Sequence, residues 1–585
     1  MQREAATREG ICPYVAYINR NTNTGLFRLS MNSVLNHKEG CSSVARPTSR
    51  EVANTDAVNV GVLANNSIRG SEIISVATSK LTRMAPGEVK VWTAYRARNI
   101  ILRAGFKNFA TDFQKLPIWG AQFTAVNPGS RFDIQTTEEG RFDSMFVGIG
   151  AARDIARKTG LPFGAIDACF MKHPLYNNGE LHIFAVRDGE NAILPVAIGL
   201  YQTESSATYA SFCENIIAFG GKLWFRDREC IIFHDGFKGT EAFVDGAECG
   251  DALCFKHVIG SMRQHLRRKA KQRQSTSAAG ASCRDVEQRQ RESAAPQRHR
   301  KRIKRAFRDD LAWSVQKATS SREYESQLAT FRKHNSDAAE YLSNLDVKKW
   351  ATYALLEQGY HTFGHSTSNI VEALNGVFVD IRKEHPLQCV DSIVAWTMKK
   401  LSKRRDHAKE LQSRNAILTH YAKTLSDEQR DLMRAGQYMV IPSTDEVFYV
   451  ERAALESTRY IVDVTEGTCT CPDWCMYQLP CRHIWQVGLQ LGLFDGDEKM
   501  REFFKKFTNP ALLSSNYATA YQEYSIQLPR LDDSCGPCAP SCSVVLPPAT
   551  LMRKKRRKKP TKRKRSRGHT SADGGARTRR RCRKE

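Results

Sequence analysis

The sequence contains no run of about 18 apolar residues, so no membrane-spanning helix is expected. Its start lacks a basic stretch followed by an apolar one, so no secretory signal is expected. No segment repeats along the chain, so no repeat architecture is expected. Acids are scarce: 62 Asp and Glu stand against 88 Lys and Arg in 585 residues, a net charge of +26. The deficit is local. Residues 553–585 carry 18 Lys/Arg against two acids, and residues 263–308 carry 16 against three, so the remainder of the chain is close to neutral at −3. Two such segments suit a polyanion, with nucleic acid the foremost choice; a solubilising tail is the other reading. Hydrophobic residues make up 41% of a chain long enough for roughly two to four domains. The 17 cysteines, without a secretory signal, read as reduced thiols, some of them metal ligands, rather than as a disulfide framework.

Residues 1–45 are short, polar and β-like, and 46–88 are rich in Ser, Asn, Thr and Val, as in a linker. Helical apolar spacing runs from Val89 to Ala125 and again from Ser144 to Lys158, with the turn Asn127-Pro128-Gly129-Ser130 between them. The whole span 89–160 is therefore expected to be a helical region ahead of the main core. The period then changes to strands at Ala165–Phe170, Leu181–Val186 and Ala192–Leu200. Pro195 predicts an edge or bulged position for the third of these. A helix at Ala207–Phe219 and a strand at Cys230–Phe233 complete an α/β layer. The basic stretch 263–308 has the low-complexity composition of a disordered insertion. Helices are expected over 309–360, Asn369–Lys383 and 386–435, with 401–437 as a connector, followed by short strands and a cysteine cluster over 438–500. A Pro/Cys-containing loop region, 501–552, precedes the disordered basic tail 553–585.

Three acids stand out. Asp167 sits mid-strand, where a bare carboxylate is costly to bury, so it faces a cleft, a metal or a partner, or else is a hydrogen-bonded structural acid. Asp235 closes an apolar strand, where α/β layers form sites; it also suits the cap of an Asp-Gly turn. Glu372 begins a helix, and Asn369-x-x-Glu372 fits a capping box equally well. Three carboxylates on two Mg²⁺ about 4 Å apart are what phosphodiester cleavage needs. Cys254 and His257 are a second, smaller pair, open to readings as zinc ligands, a core pair or helpers near DNA, although two ligands cannot fill a tetrahedral site.

The blocks Gly164–Phe170, Phe184–Gly189 and Leu194–Ala197 resemble the opening of the Mutator-like (MULE) transposase domain. Phe233-His234-Asp235-Gly236 followed by Cys254-Phe255-Lys256-His257, then Thr367–Asn375, are similar to that family's later blocks; Asn127–Ser130, Tyr341-Leu342 and Trp350-Ala351 also fit its order. The resemblance covers roughly 90–400. It implies an α/β chain with an RNase H-like (DDE transposase) core at 161–400, interrupted by a helical insertion. It also implies Asp167, Asp235 and Glu372 as the catalytic acids on Mg²⁺ or Mn²⁺, double-stranded DNA at element ends and targets as partner, self-association, and a nuclear location with the tail as import signal. His234, where the family often has Ser or Thr, and the long basic insertion are departures. A transposase-derived nuclear DNA-binding regulator without catalysis is the alternative, and a structural zinc protein a third reading.

Cys469-x-Cys471-x9-Cys481-x-His483 supplies three thiolates and an imidazole, enough for a closed tetrahedral zinc site. The spacing resembles the SWIM zinc finger, with Cys475 as a spare thiol inside the loop. Cys12, His37 and Cys41 resemble the last part of a WRKY-like finger whose first cysteine would precede residue 1, and Cys535, Cys538 and Cys542 are left without a fourth partner.

Overall fold

The structure is a computed structural model that describes residues 18–20, 27–29, 47–64, 68–80, 89–105, 109–173, 176–203, 205–220, 230–236, 249–279, 308–453, 458–530 and 545–548. Cys12, His37, Cys41, Cys535, Cys538, Cys542, residues 280–307 and the basic tail lie outside the described residues.

At the start, β1 (Ile18–Arg20) and β2 (Phe27–Leu29) form an antiparallel hairpin. The stretch expected to be a linker is helical instead, with α1 (Ser49–Ala53), α2 (Asp56–Ala64) and α3 (Gly70–Lys80) packing on α4 (Val91–Gly105). Val52, Val58, Val62, Ile73, Ala77, Ala94 and Ile101 make their shared core. The start signal is in the sequence: Thr48 and Glu51 close a capping box, with the Glu51 N–H donating to Thr48 Oγ1 at 3.2 Å and the Thr48 N–H to the Glu51 carboxylate at 2.6 Å. The polar composition hid it because each helix buries only a narrow stripe.

After α5 (Phe109–Val126) the chain enters a seven-stranded sheet. It comprises β3 (Arg131–Thr136), β4 (Phe142–Gly148), β5 (Gly160–Phe170), β6 (Glu180–Asp188), β7 (Ile193–Tyr201), β8 (Ile231–His234) and β9 (Gly250–Leu253), in the order β3-β4-β7-β6-β5-β8-β9. All pairings are antiparallel except β5–β8 and β8–β9. Residues 131–148 are thus strand, not part of a helical region; the run Met145-Phe146-Val147 is too short for periodicity to separate helix from buried strand. The helix expected from Ser144 begins only at α6 (Gly150–Thr159). β7 is central rather than an edge. The register slips opposite Phe184 and Ala185, and the Val196 carbonyl accepts the Ile149 N–H at 2.9 Å, so Pro195 sits beside a bulge that absorbs its missing donor. Next, α7 (Ser206–Gly220) packs on β4 and β7.

Beyond β9, α8 (Phe255–Ala279) runs well into the segment expected to be disordered. With α9 (Asp309–Lys317), α10 (Ser321–His334), α11 (Ser336–Ser343) and α12 (Thr352–Glu357) it forms a helical layer around Phe255, Met262, Val315, Phe331, Leu342 and Trp350. The chain then returns to the sheet with α13 (Asn369–Val377) and α14 (Pro386–Ser413). The boundary expected at residue 400 falls inside α14, which is continuous and buries Leu387, Val390, Ile393 and Leu401 in the main core. After α15 (His420–Ala435), β10 (Tyr438–Pro442), β11 (Val447–Arg452), β12 (Tyr460–Asp463) and β13 (Thr468–Cys469) form a second, antiparallel sheet. It is covered by α16 (Pro472–Tyr477), α17 (Arg482–Leu491) and α18 (Asp497–Phe507).

Residues 501–530 are not a loop region. In α19 (Ser514–Glu523), which packs on α14, Tyr521 is fully buried and donates to Asp188 Oδ2 at 2.6 Å, while Arg404 Nη1 donates to the Tyr521 hydroxyl at 3.1 Å. Gln527 pairs through its backbone with both ends of the Asn127 amide, at 2.7 and 2.8 Å. The C-terminal segment thereby closes the main core rather than trailing from it.

Candidate functional site

Asp167 lies near the end of β5, and Asp235 directly follows β8. The parallel register pairs Ala165 with Phe233, two residues before Asp167 on β5 and two before Asp235 just past the end of β8. Glu372 comes from the first turn of α13, which packs on β5 and β6. Asn375, one turn on, ties that helix down: its Nδ2 donates to Asp167 Oδ2 at 3.4 Å and its Oδ1 accepts from Cys169 Sγ at 2.9 Å. Arg382 clamps both elements, donating to the Asn375 carbonyl at 2.8 Å and the Phe170 carbonyl at 3.0 Å.

The Asp167 carboxyl is raised to about 6: burial is the largest cause, the charges of Asp235 and then Glu372 add to it, and the Ala168 N–H and the His257 charge oppose it. Asp235 and Glu372 therefore both act on Asp167, although among the described residues the three carboxylates do not form a group with all ligand atoms within 4.8 Å of one another. The capping-box alternative for Glu372 is not formed. The helix starts one residue earlier, with Ser368 as N-cap and no side-chain cap bond, so Glu372 lies past the position that reaches back. Its carboxylate pairs with Lys256 instead.

Cys254 and His257, at the start of α8, join the same corner: their ligand atoms and a Glu372 oxygen lie within 4.8 Å of one another. A hydrogen bond with Cys254 is the largest influence raising the His257 imidazole to about 9. Burial pushes the Cys254 thiol up, but its bonds with His257 and Ser368 outweigh that and lower it. The His257 charge in turn favours the ionised Asp167.

Sequence reasoning missed the support behind Asp235. The His234 Nδ1 accepts the Gly236 N–H at 3.0 Å, so its Nε2 carries the proton and donates to Asp251, which also pairs with Lys349 at 2.5 Å. Burial pushes the Asp251 carboxyl up, but its bonds with His234 and Lys349 together hold it below the usual range. No local pattern signals contacts that span 17 and 98 residues.

The second site lies between β13 and α17. Cys469 ends β13, Cys471 and Cys481 are the N-caps of α16 and α17, and His483 is in the first turn of α17. All four are buried, with ligand atoms within 4.8 Å of one another. The His483 Nδ1 stands 3.9 Å from Cys469 Sγ and 3.7 Å from Cys481 Sγ. A tetrahedral zinc with bonds of about 2.0–2.3 Å sets its ligands about 3.5–3.8 Å apart, so the set fits that ion. Burial lowers the His483 imidazole to about 4, leaving it neutral and able to coordinate. Cys475 faces the Cys469 carbonyl at 3.9 Å and stays outside the set.

Residues 458–487 match the SWIM zinc finger family. The chain therefore contains a SWIM finger, running from β12 through α17. No curated protein matches the chain. The finger's four positions leave no place for a substrate, so its zinc is structural by geometry.

Two outcomes follow. Replacing Asp167 with Asn removes a half-buried charge whose carboxyl is raised to about 6. Because the folded protein binds that proton more tightly, the wild type loses stability as pH rises from about 4 to about 6; the D167N variant lacks that slope and gains up to about 3 kcal/mol at neutral pH. Urea melts at pH 4 and pH 7 check this, and equal stability at pH 7 sinks it. Cys471→Ser lowers bound zinc by about one per chain and unfolds the finger; undiminished zinc by atomic absorption would count against the four-ligand set.

Proposed function

We propose that this chain is a DNA strand-cleaving and strand-transferring enzyme of the Mutator-like transposase class, built on an RNase H-like core. The observation that carries the reading is that β5, bearing Asp167, pairs in parallel with β8, which Asp235 directly follows, while the charges of Asp235 and of Glu372 from α13 both act on the Asp167 carboxyl. The sheet order supports it: β7, β6 and β5 pair antiparallel and lead into β8 and β9 in parallel, with β3 and β4 added antiparallel at the β7 edge, and the helical layer α8–α12 falls between the second and third acids.

Asp167, Asp235 and Glu372 offer hard oxygen donors, the set that Mg²⁺ or Mn²⁺ takes. Such ions, when bound, activate an attacking hydroxyl and stabilise the leaving oxygen of a phosphodiester. The chain's own residues do the rest. Asn375 and Arg382 fix α13 against β5, His234 holds the Asp235 turn, and Lys256 neutralises Glu372 and stands ready for a phosphate when metal takes that carboxylate. The basic segments 263–308 and 553–585 supply sequence-independent contacts to double-stranded DNA. The tail carries nuclear import, and binding at two element ends calls for self-association.

A supercoiled-plasmid nicking and strand-transfer assay tests the reading. Mg²⁺ or Mn²⁺ yields nicked and joined products with element-end DNA, and D235N lowers the rate by at least about a thousandfold. Salt-sensitive DNA binding with no metal-dependent product leaves only a transposase-derived regulator; no binding at moderate salt leaves a structural zinc protein. Deleting residues 553–585 abolishes nuclear accumulation, and unchanged accumulation removes the import role of the tail.

A further inference from the structure

The SWIM finger touches the main core through its ligand loop, and it does so next to the third acid. Residues 472–480 lie between Cys471 and Cys481, so both ends of that loop are held by the ligand set. Its helix α16 has six residues, too few to hold its own shape in water. Four contacts join it to the segment 361–368. The Gln478 Nε2 donates to His361 Nε2 at 2.7 Å, which leaves the His361 proton on Nδ1, where it donates to the Cys475 carbonyl at 2.5 Å. The Phe363 N–H donates to the Met476 carbonyl at 3.1 Å. The rings of Phe363 and Tyr477 meet edge to face at 6.4 Å.

The backbone on both sides of this seam is held in an unfavourable shape. Phe363 has φ +49 and Gln478 has φ +46, the left-handed region that side chains avoid. Such residues persist where surrounding contacts over-determine them, and they concentrate at functional sites. The segment is also keyed to the sheet. Phe363 and His365 stack on Phe163 of β5, with centroids 6.2 and 4.7 Å away, and His365 Nε2 meets Asn191 Oδ1 at 3.1 Å. The Ser366 carbonyl accepts the Phe255 N–H of α8 at 3.0 Å, and Ser368, fully buried, starts α13. Four residues later comes Glu372.

We propose that the SWIM ligand loop is a brace for the third acid: through His361 and Gln478 it holds the segment 361–368, and so sets where α13 presents Glu372. His361 and Gln478 are positioning residues, and the finger serves the cleavage site in addition to any contact with DNA. This rests on the reading of Glu372 as a metal ligand.

The test uses the full zinc-loaded chain and its H361A and Q478A variants, with Q478A, at a half-buried side chain, as the milder change should H361A fail to fold. Zinc content, amide hydrogen exchange over 361–372, and affinity for Mn²⁺ are measured. Both variants are expected to keep their zinc, to exchange faster over 361–372, and to bind Mn²⁺ about tenfold more weakly, the usual loss when an outer support of a metal ligand goes. Unchanged exchange over 361–372 in variants that retain zinc overturns the brace, as does faster exchange with unaltered Mn²⁺ affinity. If the wild type binds no Mn²⁺ while exchange still rises in the variants, the brace stands and the metal-site reading of the acids is what fails.

Discussion

A carboxylate near the end of a buried β-strand has to be tolerated by everything around it. Asp167 lies beside two further acids, and the structure meets that burden from several directions at once. The Ala168 N–H and the Asn375 amide donate to its two oxygens, and the His257 charge also favours its ionised form. Lys256 covers Glu372, and His234 with Asp251 and Lys349 fixes the turn that carries Asp235. A protein selected only for stability gains nothing from such a cluster, since like charges in a low dielectric repel. Under the proposed function, a bound cation would supply the compensation that the side chains provide only in part.

Two kinds of donor are kept apart in the fold. Hard oxygen donors, Asp167 and Asp235, stand near the ends of β5 and β8. The sulfur and nitrogen donors gather in the SWIM finger, a soft, buried and closed set. Cys254 and His257 are the exception, placing a thiol and an imidazole beside Glu372, and Lys256 on the same helix turn keeps that carboxylate engaged. The finger does not stand alone: its ligand loop rests on the segment that leads into α13, and its last helix leads into α19, which closes the main core around Asp188. The buried Asp188, Arg404 and Tyr521 form a structural network, distinct from the three acids although Asp188 lies only two strands' worth of chain from Asp167.

Legibility in the sequence followed the range of the interactions. Strands with clear alternation or uninterrupted β-branched and aromatic runs, such as Leu181–Val186, were readable, as were the long helices α5 and α14. The finger was readable to the residue, since four ligands within fifteen positions carry their own spacing rule. The short helices at 49–80 were not, because each is polar overall and earns its place only by packing on α4. Nor were β3 and β4, whose apolar run suits a helix until the neighbouring β7 is known. Pro195 was legible as a bulge but not as central, since only the partner strand reveals which carbonyls it leaves over.

What the sequence determined by itself was chemistry: which side chains can hold a hard ion, which four can hold zinc, and where the basic charge is concentrated. Those are properties of residue type and short spacing. What only the tertiary structure decided was geometry between distant segments. The parallel pairing of β5 with β8 brings together two strand ends that carry acids 68 positions apart. The start of α13 at Ser368 frees Glu372 from a capping role, and the docking of residues 472–480 on 361–368 couples the finger to the acids. Register and docking arise from the joint burial of many side chains, and no local pattern encodes a sum taken over the whole core.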